Sequence, residues 1–235
     1  MGKKYSKKEI LEEIQDMGNF YKRKVVNYRG TTSDSKEYYT EVVAEWILKN
    51  IYLFDYIKPI TREKSYKVNT HDGKNKDKDS NREEEKIAMK LFDSSQNQGK
   101  VFEIIGKIID YQTPLKDIQT DKAGKIDLLA YNEEEKTLRI LELKRPDSEE
   151  TMLRCVLEAY TYLKVVDKAK LLKDFGLPEN TKIKACPFVF YGKEQYKEMQ
   201  AIKDDRENLG KLIEKLGIEV IYLKEENGEY SVIEE

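Results

Sequence analysis

At 235 residues the chain has the length of one domain with a sizeable core, or of one domain with an appended segment. Charged residues make up 37% of it, yet 43 basic against 45 acidic side chains leave a net charge of -2, which excludes a globally basic nucleic-acid binder and leaves phosphate recognition to local patches. Cys155 and Cys186 have neither CxxC spacing nor a neighbouring histidine, so they read as reduced core residues and not as a disulfide framework or a zinc cluster.

In chain order, residues 6 to 29 and 36 to 58 read as two helices, the second with a broad apolar stripe of Val42, Val43, Trp46, Ile47, Ile51 and Phe54 before Pro59. Residues 61 to 81 lose all periodicity and hold Lys74-Asn-Lys-Asp-Lys-Asp-Ser-Asn, the composition of a mobile connection. The expected division is therefore an N-terminal helical segment over 1 to 60, a linker over 61 to 81 and a domain over 82 to 235. From there the pattern predicts a helix at 82 to 95, strands at 101 to 111, 125 to 131 and 137 to 144, a helix at 149 to 174, a strand at 182 to 191, a helix at 193 to 216 and a strand at 218 to 224. That order suits an α/β fold with a mixed sheet flanked by helices. The lysine-rich start lacks a following apolar stretch and no run is long enough to span a bilayer, so a cytoplasmic protein without membrane association is expected. Lysine clusters at 3 to 8, 22 to 24 and 164 to 173 are candidate phosphate-binding patches, though such runs are more often solvated faces.

One stretch concentrates chemistry. Acid-x-Lys occurs five times, starting at Asp34, Asp72, Glu84, Glu134 and Glu142, and only Glu142-Leu-Lys144 ends an apolar strand. Burying a carboxylate and an ammonium costs roughly several kcal/mol per ion unless a partner or a metal compensates. Residues two apart share a strand face, so Glu142 and Lys144 project together, roughly 6.6 Å apart along the strand. Asn132 to Lys136 is polar enough to connect a hairpin. If Leu129 opposes Ile140 and Tyr131 opposes Leu138, then Asp127 opposes Glu142 and two carboxylates meet on one face. Hard oxygen donors of this kind, with a backbone carbonyl such as that of Leu143 and waters, suit Mg²⁺. On the preceding helix, Glu84 lies three, four and seven positions before Ile87, Ala88 and Leu91 and so projects toward the same face, with Glu85 as second choice. The three glutamates also simply suit a positive helix N-terminus. His71 lies in a segment of turn chemistry without apolar pattern and reads as a solvated loop residue. Arg154, Glu158 and Tyr162 share a helix face, which by itself fits an ordinary ion-pair stripe.

Asp127, Glu142 and Lys144 resemble the PD-(D/E)xK nuclease superfamily, and the order Gly124-x-x-Asp127, Glu142-x-Lys144, then Glu158-Ala-Tyr-Thr-Tyr162 is similar to its RecB-type members, with Glu158 where those carry Gln. The resemblance spans roughly residues 82 to 192. It implies a restriction endonuclease-like mixed central sheet and a Mg²⁺-dependent nuclease, with Mn²⁺ able to substitute and DNA as the expected substrate. Asp127, Glu142 and the Leu143 carbonyl would hold metal, Lys144 would serve the water and the transition state, Glu84 would complete the shell, and Glu158 and Tyr162 would orient lysine or phosphate. The competing reading is a catalytically inactive module of the same fold that binds nucleic acid or a protein. A third is a structural interaction domain organised by the N-terminal helices.

Overall fold

The computed structural model describes residues 4–14, 20–73, 82–117 and 124–233. Six strands form one mixed sheet in chain order: β1 (Lys107–Pro114), β2 (Lys125–Asn132), β3 (Thr137–Leu143), β4 (Lys182–Phe190), β5 (Ile221–Glu226) and β6 (Glu229–Ile233). β2 runs antiparallel to both β1 and β3, β3 to β4 to β5 are parallel, and β6 returns antiparallel to β5. The fold is thus α/β with a mixed sheet. β3 is central and buried along its whole length, which is why it reads as a near-continuous apolar run.

Helices cover both faces. α3 (Glu83–Gln96) packs Ala88, Leu91 and Phe92 against Leu128, Leu141, Leu143 and Phe188. On the other face lie α4 (Met152–Val165), α5 (Lys168–Asp174) and α7 (Glu207–Leu216), with α6 (Glu194–Gln200) beside them. The N-terminal residues join that second core. α1 (Lys7–Glu13) and α2 (Tyr39–Lys49) contribute Ile10, Val42, Val43 and Ile47 to the cluster that holds Leu153, Val156, Ala159 and Leu212. Residues 60 to 66 run across the same face: the Ile60 amide donates to the Val165 carbonyl and the Tyr66 amide to Asp174. Residues 74 to 81 of the expected linker lie outside the described residues. Among the described residues no helix is long and apolar enough to cross a membrane.

Several expected boundaries differ. Among the described residues of the helix expected over 6 to 29, α1 is α-helical and short 3₁₀ turns stand at Phe20–Lys22 and Lys24–Asn27. The helix over 36 to 58 starts at Tyr39, because Tyr38 pairs with Thr31 across a turn, and gives way to a 3₁₀ segment at Ile51–Tyr56. The helix over 149 to 174 breaks at Val166, where Asp167 caps α5 and donates its amide to the Tyr66 hydroxyl oxygen. The helix over 193 to 216 also divides, because Glu41 of α2 accepts the Asn208 and Leu209 amides at 2.7 and 2.9 Å and so caps α7 from a distant helix. The strand expected from 101 starts at Lys107, after a tight turn in which Gly106 (φ 77°) lies so close to the Tyr131 carbonyl that a Cβ would fall 2.2 Å from it. β6 was absent from the expected order. It follows a two-residue turn at Asn227 and Gly228, both with positive φ, as a type I′ hairpin requires.

Candidate functional site

The β2–β3 register follows the alternation. Leu129 pairs with Ile140, Tyr131 with Leu138 and Leu128 with Leu141, which places Asp127 next in line beside Glu142. The Leu143 amide donates to Asp127 Oδ2 at 3.0 Å, and Gln112 of β1 donates from Nε2 to Oδ1 at 2.9 Å. Leu143 thus meets Asp127 through its N–H, a contact separate from the carbonyl role expected of it. Leu138 and Ile140 belong to the core under α4, while Leu141 and Leu143 face α3, so Glu142 and Lys144 project toward α4.

There Lys144 is enclosed. Its Nζ lies 2.8 Å from Glu142 Oε1, 2.9 Å from Glu158 Oε2 and 3.0 Å from Glu150 Oε2. Tyr162 donates to Glu158 Oε1 at 3.2 Å, so the two α4 residues act on the lysine in sequence. Arg154 turns instead to Glu150 at 2.8 Å, so the helix face is not an Arg154–Glu158 ion-pair stripe. Gly124 has its own reason: a Cβ there would fall 2.1 Å from the Tyr162 hydroxyl, so any side chain would push Tyr162 off Glu158.

The glutamate of α3 that approaches is Glu84, half-buried, whose Oε1 accepts the Arg145 amide at 3.3 Å and whose charge acts on Asp127. Glu85 pairs with Arg82, and Glu83 with Arg145. Among the described residues no group of three or more His, Cys, Asp or Glu side chains stands arranged to hold a metal ion. What the strand register supplies is Asp127 next to Glu142, with the charge of Glu84 acting on Asp127.

The electrostatics are those of a site with surplus negative charge. Burial raises the Asp127 pKa to about 7; Glu84 and Glu158 add to the rise, and Lys144 and the Leu143 amide oppose it. Glu142 is raised well above the usual carboxylate range, by burial first and then by Asp127. Burial pulls Lys144 down, but Glu142 and Glu158 outweigh it and hold the ammonium charged. Among the described residues, Glu142 Oε2 is buried and has no hydrogen-bond partner. A buried carboxylate oxygen without a donor, beside a second carboxylate, fits a hard divalent cation such as Mg²⁺ or Mn²⁺.

A pH dependence follows. Because the folded Asp127 keeps its proton up to about 7 while the unfolded carboxyl loses it near pH 3.9, the folded state binds more protons across that window. Stability of the metal-free protein is expected to fall as pH rises from about 4 to 7, and Glu142 adds a decline of the same sign. Denaturant titrations in EDTA at stepped pH check this, with Asp127→Asn giving a shallower slope. A stability that rises over the same range would contradict it.

His71 is not a solvated loop residue. Its Nδ1 lies 2.6 Å from Asp110 Oδ1, Thr113 donates to the other Asp110 oxygen at 2.8 Å, and the ring stacks on Tyr111 at 4.3 Å. These contacts tie down the strap before residue 74 and include none of Asp127, Glu142 or Lys144. Of the basic clusters, Lys7 pairs with Glu37, Lys164 with Asp55 and Lys170 with Asp174, while Lys22 lies over the Tyr21 ring, itself edge-on to Tyr162 at 6.0 Å. Sequence reasoning missed Gln112, Glu150 and Tyr21. Only Glu150 carried a local signal, its four-residue spacing from Arg154. No protein-family model, curated protein or solved structure matches this chain.

Proposed function

We propose that the protein is a divalent-metal-dependent phosphodiesterase acting on nucleic acid, with DNA as the expected substrate, on a restriction endonuclease-like sheet of the PD-(D/E)xK kind. The observation that carries this reading is the donorless, buried Glu142 Oε2 in an acid-rich cluster beside the charged Lys144. Asp127, Glu142 and the Leu143 carbonyl would hold Mg²⁺, which when bound polarises a phosphate oxygen and lowers the pKa of a bound water. Lys144, held charged, offsets negative charge developing on the phosphate oxygens. Glu158 and Tyr162 would fix the lysine, and Glu84, whose charge acts on Asp127, would complete the shell.

The test is nicking of plasmid DNA, together with cleavage of single-stranded DNA and RNA, in Mg²⁺, Mn²⁺ and EDTA, with Asp127→Ala beside the wild type. Metal-dependent cleavage lost in Asp127→Ala is the expected result. A second reading has its own support: all three proximal carboxylates converge on Lys144, and no three-acid cluster is assembled among the described residues. Those features suit a catalytically silent module of the same fold that binds nucleic acid or protein. Binding of DNA without cleavage under any metal would favour it.

A further inference from the structure

β1 contains a residue with a left-handed backbone, Gln112, in a strand whose pairing with β2 shifts register between Ile108 and Asp110. Gln112 has φ 49°, in the left-handed region that glycine adopts freely and a long side chain adopts only with strain. The residue is neither at the strand's end nor in its connecting turn. Tyr111 pairs with Leu128 and Thr113 with Ile126, so Gln112 stands directly across from Asp127. Its half-buried side chain donates from Nε2 to Asp127 Oδ1 at 2.9 Å, while Leu143 of the opposite neighbouring strand holds Oδ2. The carboxylate is thus gripped from both sides, by one backbone donor that any residue at 143 would supply and by one side-chain donor specific to Gln112.

The chemistry of the side chain matters as much as its place. A lysine at 112 would cancel the charge that a cation needs, and a glutamate would add repulsion to Asp127 and Glu142. An amide fixes an oxygen by donation and leaves the negative charge intact. Each Asp127 oxygen keeps a second lone-pair direction for a ligand.

We propose that Gln112 is a positioning residue for divalent-cation binding at Asp127, and that its left-handed backbone persists because it aims the amide at the carboxylate. This rests on the metal-site reading above. Orienting partners of this kind are typically worth about 10- to 100-fold in metal affinity.

The test uses the full chain with Mn²⁺ as probe, and two variants. Gln112→Gly relieves the backbone strain and removes the amide; Gln112→Met keeps the side chain's length and removes only the donor. Melting temperature is measured in EDTA, Mn²⁺ affinity by calorimetry, and cleavage as a function of Mn²⁺ concentration. The expected result is a melting temperature for Gln112→Gly equal to or above that of the wild type, with Mn²⁺ affinity about 10-fold or more weaker in both variants. Cleavage should return toward the wild-type rate at saturating Mn²⁺. A merely structural Gln112 would give the opposite pattern, a lower melting temperature with affinity unchanged, and that overturns the proposal. Wild-type affinity in both variants, while Asp127→Ala loses Mn²⁺, overturns it and leaves the metal site standing. Failure of the wild type itself to bind Mn²⁺ removes the metal site and the proposal together.

Discussion

Lys144→Ala is expected to lower Mg²⁺-dependent cleavage by about 10²-fold or more, the usual loss when one preorganised electrostatic group is removed from a reacting centre. The lysine is not a metal ligand, so Mn²⁺ affinity should survive the change, whereas Asp127→Ala should weaken the affinity itself. Stability complicates the measurement in a defined way. Nζ is within 3.0 Å of Glu142, Glu150 and Glu158, and removing it leaves buried carboxylates facing one another, a change of the kind that costs about 3–5 kcal/mol. The double variant Lys144→Met with Glu158→Gln removes one charge of each sign and serves as the folded control. Calorimetric Mn²⁺ titration, plasmid nicking and thermal melting, run together, separate the three effects. Undiminished cleavage in the folded double variant would exclude Lys144 from the chemistry and would favour the binding-module reading.

A stability effect of the same size is expected at Arg139, which no motif marks. It is 1% exposed, on the central strand, and each of its three guanidinium nitrogens donates a hydrogen bond. Nε and Nη2 reach the two oxygens of Glu219 at 2.6 and 3.1 Å, Nη2 also reaches Glu135 at 2.8 Å, and Nη1 donates to the Ile104 carbonyl at 2.8 Å. Ile104 is itself strained, with φ 70°, and its carbonyl also accepts from Asn132. One side chain therefore ties the turn before β1, the β2–β3 hairpin and the entry to β5. Arg139→Ala should cost about 3–5 kcal/mol, because it leaves Glu219 partly buried with a lysine, Lys184 at 3.3 Å, as its remaining cation. Urea denaturation at neutral pH checks the value. Arg139→Lys should recover only part of it, since an ammonium cannot reproduce the fork. A loss below about 1 kcal/mol for Arg139→Ala would show that the network is no stronger than an exposed ion pair.

The contrast between these two residues shows what the amino-acid sequence by itself determined. The β2–β3 hairpin, the shared face of Glu142 and Lys144, and the register that carries Asp127 to Glu142 all follow from a side-chain period of two and a polar connection, which are local properties. The choice of Glu84 over Glu85 follows equally from helical spacing to Ala88 and Leu91. The Asn227-Gly228 turn was just as legible, and β6 could have been read from it. Other features depended on groups far away in the chain. Helix ends at Val166 and before Glu207 are set by Tyr66 and Glu41, whose hydrogen bonds replace those a continuing helix would have made. Arg139 and Glu219 are 80 positions apart, and no window of sequence contains both. Tyr21 reaches Tyr162, and Gln112 reaches Asp127, only because packing and strand pairing bring them together. Local periodicity assigns a residue to a face; which distant donor meets it there is decided by the tertiary structure, because burial makes an unpaired polar group costly and any donor that closes the gap is retained.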